Sequence, residues 1–174
     1  WSSDVCSSDL PGPAGPLETL IEFPTGEPRA AVVLAHPLPT HGGTMHTKMI
    51  YQAAKGFSRC GCVVLRFNFR GVGRSAGTFD EGRGERDDVR AAVDYMTSRF
   101  QGLELWTAGG SFGAYVAMTA GAADDRVAAL IGIAPPVNRY DFSNVKRSGK
   151  PKFVVHGEED ELIPLRSEEH TSEL

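Results

Sequence analysis

Residues Leu103 to Ala120 constrain this chain more than any other stretch. Leu103-Glu104-Leu105-Trp106-Thr107-Ala108-Gly109 reads as a buried strand, and Ala114-Tyr115-Val116-Ala117-Met118-Thr119-Ala120 as a helix of small residues. Between them, Gly109-Gly110-Ser111-Phe112-Gly113 spells Gly-x-Ser-x-Gly. A strand turning sharply into a helix across that pattern lifts the serine hydroxyl above the sheet end. It also leaves the next backbone N–H, that of Phe112, where an oxyanion would form. The glycines let the backbone take the strained turn. The stretch therefore predicts an α/β sheet with Ser111 as a candidate nucleophile. As a plain N-cap the serine would need none of these glycines.

A second Gly-x-Ser-x-Gly, Gly73-Arg74-Ser75-Ala76-Gly77, also follows a strand. The next residues, Thr78-Phe79-Asp80-Glu81-Gly82-Arg83-Gly84, cannot start a good helix, so Ser111 is preferred over Ser75. The overlapping Gly71-Val72-Gly73-Arg74-Ser75-Ala76 matches the dinucleotide fingerprint Gly-x-Gly-x-x-Ala. It lacks the helix that would face a pyrophosphate. A nucleotide-binding protein is thus a weak alternative, and titration with a nicotinamide cofactor would expose it.

The two ends carry a separate signal. One codon choice for Arg166 to Leu174, reverse-complemented and read one base out of frame, translates as Ser2 to Leu10. Opposite strands of one oligonucleotide, resembling a sequencing-library adapter, account for both tails. Residues 1–10 and 166–174 are therefore expected to be adapter-derived, flanking a truncated domain at 11–165. Of 18 basic and 22 acidic side chains, the tails hold Arg166 and the acids Asp4, Asp9, Glu168, Glu169 and Glu173; 17 of each sign remain between them. That balance gives no basic excess for nucleic acid or an anionic membrane. The remaining 155 residues suffice for one domain with a core. No apolar run approaches a membrane span. Cys60 and Cys62 read as small core residues rather than a metal or redox pair, with a reducing cytoplasm as the default compartment.

Strands are predicted at Leu17–Phe23 (an edge), Ala30–Ala35, Cys62–Phe69, Val127–Ala134 and Lys152–His156, besides the one entering Ser111. Helices are predicted at Thr44–Ser58 and Glu85–Phe100, besides the one leaving Ser111. Alternating strands and helices imply a mostly parallel sheet with helices on both faces.

A nucleophilic serine needs a base, and the base an orienting acid, in the chain order Ser, acid, His. After the last strand comes Gly157-Glu158-Glu159-Asp160-Glu161-Leu162-Ile163-Pro164. His36, His41, His46 and His156 all precede these acids, and His170 lies in the adapter tail. The base is expected beyond Leu165. The loop after Ala30–Ala35 should supply a second oxyanion donor. There Pro37 and Pro39 have no N–H, which leaves Leu38 between them. His36 and His41 without a nearby carboxylate make a thin metal site, so neither metal nor cofactor is expected.

Four motifs together resemble the α/β-hydrolase superfamily. They are His36-Pro37-Leu38-Pro39-Thr40-His41-Gly42-Gly43-Thr44-Met45, Leu65-Arg66-Phe67-Asn68-Phe69-Arg70-Gly71-Val72-Gly73-Arg74-Ser75, Gly109 to Tyr115, and Ala134-Pro135-Pro136-Val137-Asn138-Arg139-Tyr140-Asp141-Phe142. The chain looks most like the small bacterial lid-poor hydrolases related to dienelactone hydrolases and serine aminopeptidase-like esterases. The resemblance implies an α/β-hydrolase fold lacking its C-terminal part. It implies Ser111 as nucleophile, Phe112 and Leu38 as oxyanion donors, and Asp160 as triad acid through Gly-x-x-Asp-x-x-Ile-Pro. The expected activity is hydrolysis of carboxylic esters or related acyl bonds of a small-molecule substrate, lost or very weak in this piece for want of the histidine. A non-catalytic binding protein on the same fold is the alternative.

Overall fold

A computed structural model describes residues 5–157. Asp160 and the tail at 166–174 lie outside the described residues. Seven strands form one sheet: β1 (Val5–Gly12), β2 (Gly15–Glu22), β3 (Ala30–Ala35), β4 (Cys62–Phe67), β5 (Glu104–Gly110), β6 (Val127–Ile133) and β7 (Lys152–Val155). Their order is β1-β2-β4-β3-β5-β6-β7, antiparallel at β1–β2 and β2–β4 and parallel thereafter.

Every residue of β3 and β4 is buried, as apolar runs in a sheet covered on both sides should be. Alternate side chains serve opposite faces. Val32, Leu34 and Val64 join Ile50 and Ala54 of α1 (Lys48–Arg59) in one core. Ala31, Val33, Val63, Leu65 and Phe67 join α2 (Arg83–Arg99) and α3 (Phe112–Ala122) in the larger core opposite. A short α4 (Ser143–Arg147) precedes β7.

Three local differences from the sequence-based expectation have physical causes. β2 is an inner strand rather than an edge, because β1 folds back along it from Val5↔Glu22 to Gly12↔Gly15. Residues 5–10, attributed above to an adapter, thus pair through backbone groups on the outer edge. Leu10 also reaches the core there. An edge strand demands little of its partner beyond free N–H and C=O groups. Second, α1 starts at Lys48, four residues later than predicted. Residues 44–47 instead close a turn, with Thr47 N donating to Thr44 O at 3.0 Å and Thr44 N to Thr47 Oγ1 at 3.0 Å. Third, α2 starts two residues early because the buried Glu85 carboxylate accepts from the Gly82 and Asp80 N–H groups at 2.7 and 2.9 Å.

The topology fixes where a site can form. The chain leaves β3 through α1 to reach β4, then returns through α2, packed on the opposite face, to place β5 on the other side of β3. Strand order thus reverses between β3 and β5, the point at which sheets of this kind form a crevice beyond the carboxyl ends of their strands. Ala35 of β3 pairs with Gly109 of β5, so the segments leaving both strands start side by side.

Candidate active site

Ser111 stands between the end of β5 and the first residue of α3 with φ 51° and ψ −119°. A non-glycine residue reaches that region only when its surroundings over-determine it. They do so here. Its N–H donates to Ile133 O of β6 at 2.8 Å, and its C=O accepts from Ala114 N at 2.9 Å. The flanking glycines are required by proximity. A Cβ on Gly109 would strike the Gly113 backbone, and a Cβ on Gly113 would strike the Ala35 and His36 carbonyls. Side chains at either position would push α3 off the strand ends. Ser111 is half-buried, and its Oγ makes no hydrogen bond to another described residue.

The β3–α1 loop reaches the same place. Leu38 C=O accepts from His41 N and Gly43 N, both at 3.1 Å, around a 3₁₀ turn at Pro39–His41. The far end is clamped to β4: Met45 N donates to Asn68 Oδ1 at 2.9 Å, and Met45 O accepts from Arg66 Nη1 at 2.8 Å. Among the described residues, neither Leu38 N–H nor Phe112 N–H donates to a protein acceptor. Both N–H groups are therefore unspent among the described residues, one in each of the segments that leave the paired ends of β3 and β5.

Ser75, the rival serine, sits 7% exposed within a hydrogen-bond network. Its hydroxyl donates to Asn68 O at 2.7 Å and accepts from Glu18 N at 3.0 Å. The segment around it forms turns, with Ser75 N donating to Val72 O and Gly71 N to Ala76 O, and no helix starts before Arg83. Ser75 ties a loop to β2, and the dinucleotide-like glycines open no helix.

The histidines divide clearly. His36 is fully buried; its Nε2 accepts from Phe69 N at 3.0 Å and its Nδ1 donates to Pro37 O at 2.6 Å. Burial lowers its pKa to about 4, and the Pro37 carbonyl offsets only part of this. Both ring nitrogens are occupied, which removes His36 as a metal ligand. His41 is exposed beside Thr40 Oγ1, and exposed His46 lies within electrostatic reach of Glu18. His156 follows β7. Cys62 is buried at the head of β4, where burial pushes its thiol up, and Cys60 is exposed. No cluster of metal-ligating side chains occurs among the described residues. No helix among them is long and apolar enough to cross a membrane.

Sequence reasoning missed an aromatic group around the elbow. The Phe112 ring lies 5.9 Å from Phe69, 5.7 Å from Phe79 and 5.8 Å from Tyr140. Tyr115 stacks on Tyr140 at 4.5 Å and 16°. Loops from β4 and β6 are thereby packed onto the first turn of α3. The one sequence signal was Phe112 and Tyr115 at i, i+3 on a single helix face.

A Gly-x-Ser-x-Gly turn from strand to helix, beside the switch point of a mostly parallel sheet, defines the α/β-hydrolase class. An α/β serine hydrolase without a lid from Xanthomonas campestris is 39% identical, with a TM-score of 0.86 over 95% of this chain and 76% of that one. An α/β serine hydrolase homologue from Coxiella burnetii is 37% identical, with a TM-score of 0.87 over 95% of this chain and 79% of that one. An uncharacterized protein of Rickettsia prowazekii is 35% identical over 156 residues, 87% of this chain; the chain spans 66% of that relative's length. The profile of the hydrolase family described as serine aminopeptidase, S33 matches residues 26–148, and the chain belongs to that family.

Proposed function

We propose that the parent of this chain hydrolyses carboxylic esters or related acyl bonds with Ser111 as nucleophile. The observation that carries the reading is the backbone of Ser111, at φ 51° between two close-packed glycines, with no hydrogen bond from its Oγ to another described residue. Ser111 Oγ attacks the acyl carbonyl carbon as its proton passes to the histidine base, and the carbonyl π electrons move onto oxygen. The Phe112 and Leu38 N–H groups receive that oxyanion, aided by the positive end of the α3 dipole. Collapse expels the alcohol, thiol or amine, which takes the proton back from the histidine, and leaves an acyl-serine, which water then hydrolyses with the same base. Asp160, five residues past the end of β7, serves as the acid that orients the base. The histidine base belongs to the parent sequence beyond Leu165, and residues 1–10 and 166–174 are adapter translation. The relative from Xanthomonas, a member of the α/β serine hydrolases, and that from Coxiella, an α/β serine hydrolase homologue, support this assignment over a non-catalytic binding role.

The test uses a fluorophosphonate probe and p-nitrophenyl acetate. The parent-length enzyme is expected to be labelled, and Ser111→Ala to abolish both labelling and turnover. Unaltered labelling of Ser111→Ala would exclude it as nucleophile. The 174-residue chain is expected to retain only what an oxyanion hole alone supplies, on the order of 10²–10³ over background. Full turnover by it would refute the placement of the base beyond Leu165.

A further inference from the structure

Among the buried titratable side chains that the proposed chemistry leaves unused, His36 is the one that adjoins the oxyanion loop. His36 is the last residue before the Pro37–Leu38 peptide and is fully shielded from solvent. A backbone N–H can only donate, so the Phe69 N–H at 3.0 Å requires an unprotonated Nε2. The neutral ring therefore carries its proton on Nδ1, which faces Pro37 O at 2.6 Å. Pro37 C=O and Leu38 N–H belong to one planar peptide unit. That unit is trans, since no cis bond occurs among the described residues, so its C=O and N–H point in opposite directions. Whatever fixes the Pro37 oxygen thus aims the Leu38 N–H. A side chain at Gly43 would strike the same Pro37 oxygen, so the loop closes over the carbonyl from another direction.

We infer that His36 is a positioning residue of the oxyanion hole: anchored through Nε2 to Phe69, it grips the Pro37 carbonyl through Nδ1–H and so turns the Leu38 N–H toward the reacting oxygen. The inference rests on Leu38 as an oxyanion donor. It explains why a polar ring occupies the most buried position of the loop, where an apolar side chain would leave the Pro37 carbonyl and the Phe69 amide without partners. The contribution appears only when charge develops on the oxygen, so it belongs to kcat rather than to substrate binding.

Two substitutions separate this role from simple core filling. In His36→Asn the side-chain amide N–H stands about where Nδ1 was and can still donate to Pro37 O. In His36→Gln the amide oxygen reaches the Nε2 position and can still accept from Phe69, but the Pro37 contact is lost. On parent-length enzyme with p-nitrophenyl acetate, His36→Gln is expected to lose about a hundredfold in kcat with KM within about twofold. His36→Asn is expected to recover at least about tenfold of that loss. Equal losses in the two variants, or a loss carried by KM, would overturn the inference. If neither variant folds, ¹⁵N spectra of the histidine rings in the wild-type enzyme decide. A neutral ring protonated at Nδ1, whose resonance moves when phenylboronic acid forms its tetrahedral adduct, is the expected result. A ring protonated at Nε2, or one insensitive to the adduct, would overturn it. Wild-type turnover by Ser111→Ala, measured alongside, would instead remove the nucleophile assignment.

Discussion

At the scale of single residues, the elbow depends on two absent side chains as much as on the serine. A Cβ at Gly113 would lie 2.5 Å from Ala35 O and 2.7 Å from Ala35 C, both backbone atoms of a central strand. Neither can rotate away, so Gly113→Ala must displace α3 from β3. Overpacking of that kind costs about 1–3 kcal/mol. The same shift moves Ser111 and the Phe112 N–H, so fluorophosphonate labelling should fall along with the urea midpoint. Gly56 provides the contrast: it is exposed within α1, and a Cβ there meets nothing within 4 Å. Gly56→Ala should raise stability by about 0.5–1 kcal/mol with labelling unchanged. Equal responses of the two variants would show that proximity does not constrain the elbow. The strand–turn–helix around Ser111 was legible in the sequence because its pattern, strand and helix are contiguous. The contacts of His36 were not, because Phe69 lies 33 positions away and is brought to the ring only by β3–β4 pairing.

At the scale of elements, the end of β4 organises the surroundings of the site. Arg66 joins Met45 O to the buried Glu22 carboxylate at 2.5 Å, and Lys55 of α1 reaches the same carboxylate at 3.0 Å. Asn68 joins Met45 N to Glu18 at 2.9 Å. Just beyond the strand, Arg70 pairs with Asp88 of α2 at 2.8 Å, and the Arg70 N–H donates to the same carboxylate at 3.0 Å. Apolar runs made the strands legible, since burial on both faces leaves a compositional trace. The polar residues of this segment leave none, because each partner comes from a different element. Thus the sequence predicts α1 from Thr44, whereas residues 44–47 are held in a turn beside the β4 clamp. Ser75 tests the distinction between pattern and context. Ser75→Ala removes a hydroxyl that bridges Asn68 O and Glu18 N, so it should cost about 1–2 kcal/mol. Labelling of Ser111 should persist in that variant. Loss of labelling without loss of stability would return Ser75 to consideration as the nucleophile.

For the whole molecule, strand order places the site and one buried ring ties stability to pH. The sequence predicted the alternation of strands and helices but not the order β4-β3-β5, since pairing between distant strands has no local trace. That order buries His36 beneath the crevice and keeps its ring neutral down to about pH 4, against an ordinary 6.5. Between those values the unfolded chain binds a proton that the folded chain refuses. Unfolding is therefore favoured as pH falls through this window, and stability rises with pH across it. The slope is at most about 1.4 kcal/mol per pH unit, about 3 kcal/mol in all. Hydrogen-bonded carboxylates act lower. Glu18, held down chiefly by the Arg74 N–H, and Asp124, held down by Arg126, lose their contributions as pH falls below their ordinary 4.5 and 3.8. Urea denaturation of wild type and His36→Asn between pH 4 and 6.5 isolates the ring. The stability difference between them should shrink steadily as pH falls, because only the wild-type unfolded state gains the proton at position 36. A difference that stayed constant over the window would mean that His36 is protonated as readily in the fold as outside it. That would contradict an Nε2 committed to Phe69.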